Sequence, residues 1–217
     1  MKDLHNHILP GLDDGCKSEE ESLKMLNDLI NSGINEVVFT PHYVSGTKYT
    51  ANNKKKKEAF LKLKKVIENN KLPIKVYLGN EILFCDNILE LLDKGEILSI
   101  NNSKNLLIEF PMMNLPHNAK NVFDELISAG YNVILAHPER YYFVREDINV
   151  LNDFVSMGVH LQGNYTSLFG KYGRTSKKIL KKLLKRGMID ILASDTHHEV
   201  IGNEVALRRK LKWYLKE

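Results

Sequence analysis

The sequence predicts an α/β fold: seven β/α units around a parallel sheet that closes into a barrel, with an open doubly wound sheet as the alternative. Three observations carry this reading. Short apolar runs alternate with longer amphipathic ones along the chain, as expected for parallel strands covered by helices. The apolar runs end on residues able to bind a metal or a phosphate. No linker-like, repetitive or low-complexity stretch separates the units, so residues 1–217 read as one domain.

The elements follow in order. Lys2–Ile8 reads as a strand entering a loop rich in Gly, Pro and Asp. Ser18-Glu19-Glu20-Glu21 offers a capping hydroxyl with acids in the first turn, starting a helix that runs to about Asn31. Gly33 stops it. Glu36–Thr40 is the second strand, closed by Pro41-His42, and Thr50 to about Asn69 is a charged amphipathic helix. Ile74–Leu78 is the third strand, ending in Gly79-Asn80-Glu81, and Asn87–Lys94 is a short helix. Asn105–Phe110 is the fourth strand, and His117–Ala129 the helix after it. Asn132–Ala136 is the fifth, ending in His137-Pro138-Glu139-Arg140, with a helix over Asp147–Met157. Val159–Gly163 is the sixth, followed by a basic helix over Thr175–Lys185. Met188–Ala193 is the seventh, ending in Ser194-Asp195-Thr196-His197-His198, and a last helix covers roughly Glu199 to Tyr214.

Composition narrows the function. Hydrophobic residues make up 43% of the chain, an ordinary globular value. No apolar run reaches the roughly 20 residues of a membrane span, and the first residues lack the apolar core of a signal peptide. A cytoplasmic protein without membrane insertion is expected. Cys16 and Cys85 are too few for a disulfide framework and read as free thiols. The net charge is +4, and lysines such as Lys54–Lys57 and Lys177–Lys185 read as solvated helix faces. Arg is scarce and no aromatic stripe accompanies the lysines, so no nucleic-acid partner is expected.

The polar strand ends carry the chemistry. His5 and His7, two apart on a strand, point to one side, and Asp13 and Asp14 follow in the next loop. The strand-end residues are His7, His42, Glu81, Glu109, His137, Asn164, and Asp195 with His197. Sites in α/β barrels and open sheets form at the carboxyl ends of strands, so the scatter in sequence becomes a cluster in space. Alternation agrees: Tyr77, Gly79 and Glu81 share one face, as do Leu107 with Glu109, Leu135 with His137 and Ala193 with Asp195. So many imidazoles and carboxylates at one end require cations, and they suffice for two or three ions. Mixed imidazole and carboxylate ligation suits manganese, iron or zinc better than magnesium alone. Paired ions are a known device for hydrolysing phosphate esters.

Arg140, three residues after His137, could grip phosphate oxygens from the same loop or form a surface ion pair. Neither cysteine is followed by the phosphate cradle and arginine of a cysteine phosphatase, and no phosphate-binding glycine motif is present. Ser167 and Ser194 lack a convincing triad. His117 and His160 read as structural and His198 as exposed. Tyr43, Phe84, Tyr141 and Tyr165 lie near strand ends, where they either wall a phenol pocket or simply pack.

The ordered set His5-Asn6-His7, Asp13-Asp14-Gly15, Thr40-Pro41-His42, Gly79-Asn80-Glu81, Ile108-Glu109-Phe110, Ala136-His137-Pro138-Glu139-Arg140 and Ser194-Asp195-Thr196-His197 resembles the PHP (polymerase and histidinol phosphatase) superfamily. It is most similar to the bacterial protein-tyrosine phosphatases encoded with capsule and exopolysaccharide genes. The resemblance implies a distorted seven-stranded (β/α) barrel and three divalent metal ions, manganese foremost, with iron, zinc or cobalt as alternatives. It places His5, His7, Glu81 and Asp195 on one ion, Glu81, Glu109 and His137 on a second, and Asp14, His42 and His197 on a third. Arg140, Asp195 and His197 become the catalytic side chains. The implied substrate is phosphotyrosine on a protein, namely a bacterial tyrosine autokinase. Histidinol-phosphate phosphatase and a non-catalytic metal-binding module are the alternatives. Relatives carry a second Arg shortly after the last Asp-x-His; here Ile201-Gly202-Asn203 occupies that region, leaving Arg208 or Arg209 to take the role or the role unfilled.

Overall fold

Alternating strands and helices do form, but in two sheets. The computed structural model describes residues 1–200 and 202–211. The strands are β1 (Lys2–Asp3), β2 (Glu36–Phe39), β3 (His42–Tyr43), β4 (Lys75–Leu78), β5 (Glu81–Leu83), β6 (Asn105–Glu109), β7 (Asn132–Ala136), β8 (His160–Asn164) and β9 (Ile191–Ala193). The helices are α1 (Glu19–Asn31), α2 (Asn53–Asn69), α3 (Ile88–Asp93), α4 (Ala119–Ser128), α5 (Tyr142–Glu146), α6 (Leu151–Ser156), α7 (Tyr165–Phe169), α8 (Gly173–Lys185) and α9 (Glu204–Leu211). One sheet has the order β1-β2-β4, the other β3-β5-β6-β7-β8-β9. Every strand pairing within them is parallel.

The expected closed barrel of seven strands is not formed, for local reasons. The second strand breaks at Thr40-Pro41: proline has no N–H for a ladder, and Thr40 N donates instead to Asn6 O at 3.0 Å. The third breaks at Gly79-Asn80, where a Cβ on Gly79 would lie 2.9 Å from Ile100 Cδ1. The first shrinks to β1. Beyond it, residues 5–7 are stitched to the segment after β9 by Asp195 N donating to His5 O and His7 N to Thr196 O, each at 2.9 Å. With the single bridge Asn6–Thr196, this makes a seam rather than a ladder.

The predicted helices appear with shifted ends: the basic helix starts two residues early at Gly173, and the one expected over Asp147–Met157 opens as a 3-10 turn, Ile148–Val150, before α6. Ser18 caps α1 as its sequence suggests, its Oγ accepting from Glu21 N at 3.2 Å. The five-residue helices α5 and α7 are too short to show a period in sequence. The last helix is described only to Leu211, so its predicted end at Tyr214 lies outside the described residues. Val38, Leu107, Ile134 and Ala136, with Leu4, Tyr77 and Ile191, form an apolar layer on the inner strand faces. The helices bury the outer faces in two larger cores. Leu107 and Glu109 thus share the inner face as alternation predicts. Leu135 and His137 do not: Leu135 packs in the outer core, and His137 turns inward because its backbone is left-handed, φ 34°.

One lysine departs from the solvated face expected of α2. Lys56 is 0% exposed, whereas its neighbours Lys54, Lys55 and Lys57 face solvent. Its Nζ donates to Asn80 Oδ1 at 2.7 Å and to Glu96 O at 2.9 Å. Asn80 Nδ2 in turn donates to Pro41 O at 2.7 Å. This buried network braces the two strand breaks, one residue before Glu81 and one before His42.

Candidate metal centre

Glu81, at the start of β5, lies at the middle of the strand-end cluster and is fully buried. Its Oε1 is 3.1 Å from His5 Nε2 and 3.0 Å from His137 Nε2. Its Oε2 is 3.2 Å from His7 Nε2 and 3.0 Å from His42 Nδ1. Glu109 closes one side, 3.4 Å from His42 Nδ1 and 3.5 Å from His137 Nε2. Asp195 closes another, its Oδ1 3.5 Å from both His5 and His7 Nε2. Asp14, the most exposed member, is 3.5 Å from His42 Nε2 and from His197 Nε2. All nine predicted residues therefore converge. Three overlapping groups place their ligand atoms within 4.8 Å of one another: His5, His7 and Glu81; His42, Glu81 and Glu109; and His7, Asp14, His42 and His197.

Surrounding bonds decide which ring nitrogens face the cluster. Asp195 Oδ2 only accepts, and Asn164 Nδ2 donates to it at 2.6 Å. That orientation leaves Asn164 Oδ1 to accept from Gln162 Nε2 at 2.8 Å. Gln162 Oε1 then faces His5 Nδ1 at 2.7 Å, so Nδ1 carries the proton and Nε2 presents its lone pair inward. The Asp195 carboxylate thus sets the tautomer of its neighbour His5 through two intervening amides. His7 is fixed the same way, with Nδ1 2.7 Å from Asp13 Oδ2. Asp13 also accepts from Gly15 N and His42 N, at 3.0 and 2.9 Å.

The donor set fits divalent cations. The inward nitrogens of His5 and His7 lie 3.3 Å apart, and two lone pairs at that distance need a proton or a cation between them. His42 Nδ1 and Glu81 Oε2 are buried and close, yet neither makes a hydrogen bond among the described residues. Carboxylates dominate the potential. Burial works against a charged ring at His42, but Glu81 and Glu109 outweigh it and push its pKa up to about 10. At His137, burial and Arg140 are outweighed by Glu109 and Glu81, giving about 9. At His7, burial is likewise overcome by Asp13, and the pKa is raised. Protons and metal ions compete for such nitrogens.

Two strained backbone positions lie in the cluster. His137 and Asp195 both have positive φ, 34° and 49°, a conformation that side chains with a Cβ rarely adopt. Gly15 lets the Asp13–Cys16 loop lie against the first segment: a Cβ there would sit 1.8 Å from His7 O.

Arg140 joins the cluster rather than forming a surface pair. Its Nη1 donates to Asp195 Oδ2 at 2.6 Å, and its guanidinium lies 4.2 Å from the ring centre of Tyr172. It lines a cavity of about 380 Å³ with Lys171, Tyr172, His197, His198 and Glu199. Gln162, Tyr172 and Lys171 were not foreseen as site residues. Gln162 left one signal, a second amide two residues before Asn164 on an otherwise apolar strand.

Other expectations resolve plainly. Burial pushes the Cys16 thiol up to about 11 and raises that of Cys85, which disfavours thiolate chemistry. Ser194 Oγ donates to Asp3 and Ser167 Oγ to Glu139, neither to a histidine. His160 pairs with Asp190 at 3.4 Å, at the far end of its strand, and His198 is exposed. Tyr43, Tyr141 and Tyr165 are buried packing residues; Phe84 is only partly buried and lines a separate groove with Pro111 and Leu115. Arg209 is exposed, and the side chain of Arg208 lies outside the described residues.

Known proteins resemble this chain in sequence and fold. CapC of Staphylococcus aureus is 34% identical over 222 residues, covering 100% of this chain and 86% of that protein. A solved structure from work on YwqE of Bacillus subtilis and CpsB of Streptococcus pneumoniae, described as metal-dependent tyrosine phosphatases, superposes with a TM-score of 0.94 at 31% identity. It covers 100% of this chain and 88% of that one. Histidinol phosphate phosphatase from Lactococcus lactis shares the fold, with a TM-score of 0.60 at 15% identity over 96% of this chain and 90% of that one. These findings uphold the resemblance to bacterial tyrosine phosphatases of capsule synthesis, and the histidinol phosphate phosphatase shares the fold. The family model for capsular polysaccharide synthesis proteins, CpsB/CapC, matches residues 1–203, and the chain belongs to that family.

Proposed function

We propose that this chain is a metal-dependent protein-tyrosine phosphatase. One observation carries the reading: a buried cage of imidazoles and carboxylates centred on Glu81, with Arg140 bonded to its wall at Asp195. The cage would hold three divalent cations, manganese foremost, on His5, His7, Asp14, His42, Glu81, Glu109, His137, Asp195 and His197. The three overlapping ligand groups support that number. Such cations supply Lewis-acid activation of water and of the phosphoryl group.

The chain's own residues do the rest. Gln162 and Asp13 hold the His5 and His7 rings with their lone pairs inward. Asp195 divides its oxygens: Oδ1 faces the cage, while Oδ2 accepts from Arg140, Asn164 and Tyr172. That anchor holds Arg140 at the rim, where its remaining N–H donors can meet phosphoryl oxygens bidentately. Tyrosine, with a pKa of about 10, leaves as a fairly stable anion, so the reaction needs no strong general acid.

The substrate is phosphotyrosine on a protein, and the family's link to capsular polysaccharide synthesis supports a bacterial tyrosine autokinase of that pathway. The activity resides in one domain acting in the cytoplasm. No described helix is long and apolar enough to cross a membrane. Purified protein loaded with manganese should hydrolyse a phosphotyrosyl peptide in preference to histidinol phosphate. Turnover of histidinol phosphate alone would overturn this assignment, and metal binding without turnover of either would point to a non-catalytic module.

A further inference from the structure

We infer that Lys171 is a second phosphoryl-binding cation of this site, facing the substrate together with Arg140. The inference rests on the phosphatase reading and deepens it. Lys171 follows Gly170, which ends α7 with φ 96°, and precedes Tyr172 at the cap of α8. The turn brings a lysine from a sequence region without metal-ligand motifs to the edge of the cage. Its Nζ lies 3.5 Å from Asp195 O and 5.5 Å from the ring centre of Tyr172. Arg140 lies 4.2 Å from the centre of the same ring. Tyr172 is pinned by its hydroxyl, which donates to Asp195 Oδ2 at 2.9 Å.

Two cations thus share one aromatic platform and line one cavity of about 380 Å³ beside His197. Two like charges lining one cavity repel, and an anion entering it relieves that repulsion. Asp195 Oδ2 already accepts from Arg140, Asn164 and Tyr172, and although Glu199 lines the same cavity, among the described residues no carboxylate lies within ion-pair distance of Lys171. A phosphoryl group entering this cavity meets Arg140's fork and the Lys171 ammonium together, and the Tyr172 ring can flank its ester. The chain has no Arg from His198 to Leu207; Arg209 is exposed, and the side chain of Arg208 lies outside the described residues. The loop between α7 and α8 supplies a cationic arm from another direction.

The test uses metal-loaded protein and two readouts: binding of inorganic phosphate by titration calorimetry, and steady-state turnover of a phosphotyrosyl peptide. Lys171→Met should weaken phosphate binding and raise KM, each about tenfold, the usual effect of losing one charge-assisted bond. kcat should change much less. Lys171→Arg should restore most of both, and bound-metal content should match wild type in each variant. Unchanged phosphate affinity and KM in Lys171→Met would overturn the inference, as would a loss of metal, which would make Lys171 a prop for Asp195. If wild-type protein fails on the peptide, the phosphatase reading falls, while the calorimetry still judges Lys171.

Discussion

Replacing Lys56 with methionine should change how stability depends on pH. Burial pulls the Lys56 pKa from its ordinary 10.5 down to about 7, partly opposed by the negative charge of Glu96. The unfolded chain keeps this proton until about 10.5 and the folded chain releases it near 7, so between those values the unfolded state binds more protons. Stability therefore rises with pH across this window and falls as pH drops toward 7. Integrating the two titrations from pH 7 to 9 gives wild type about 2 kcal/mol of stability that Lys56→Met cannot gain. In a domain of this size that corresponds to about 4–8 °C in Tm. The packing difference between the two side chains adds a constant offset and leaves the slope untouched. Thermal melts of both metal-free proteins at half-unit steps from pH 6.5 to 9.5 read the effect directly. Parallel curves would show that Lys56 does not change protonation in this range and would refute the burial argument.

Two further perturbations probe the cage. Gln162→Leu removes the acceptor that fixes the His5 ring, and should weaken metal binding about 10- to 100-fold, with turnover recovered at excess manganese. Chelator titration with unchanged metal retention would contradict it. Gly15→Ala forces a methyl to within 1.8 Å of His7 O, so the Asp13–Cys16 loop must shift. Overpacking of this kind costs about 1–3 kcal/mol, or about 2–12 °C in Tm. Metal analysis should show the ion nearest Asp14 lost first; wild-type melting and metal content together would rule the close approach unimportant.

Residue type and order made much of this site legible. His42, Glu81, Glu109 and His137 could be read as strand ends because each follows an apolar run, and parallel strands collect their ends on one side of a sheet. The sheet's division into two was less visible. Pro41 announces a break, but only the diversion of Thr40 N to Asn6 shows that β3 starts afresh in a different sheet. Alternation failed at His137, where a left-handed residue turns the side chain inward directly after the inward-facing Ala136. Lys56 is indistinguishable by type from the lysines beside it; only the docking of α2 over Asn80 and Glu96 singles it out. Tyr141 looked equally suited to a pocket wall and to a core. Its hydroxyl is consumed by Ala136 O and Phe110 N, a fact of tertiary packing that no local pattern encodes.

The seam joining residues 5–7 to residues 195–196 gives the centre a schedule. A ribosome adds about 5–20 residues per second, so the first histidines wait roughly 10–40 s for Asp195 to be made. Until then His5 and His7 lack Asp195, whose carboxylate lies 3.5 Å from both rings in the finished fold. A cation held as proposed would clasp both ends of the chain's contribution to the cage, and its release would free both at once. On that ligand set, stable metal loading would follow completion of the chain through Asp195, and a nascent chain stalled before it would lack one of the cage's carboxylates.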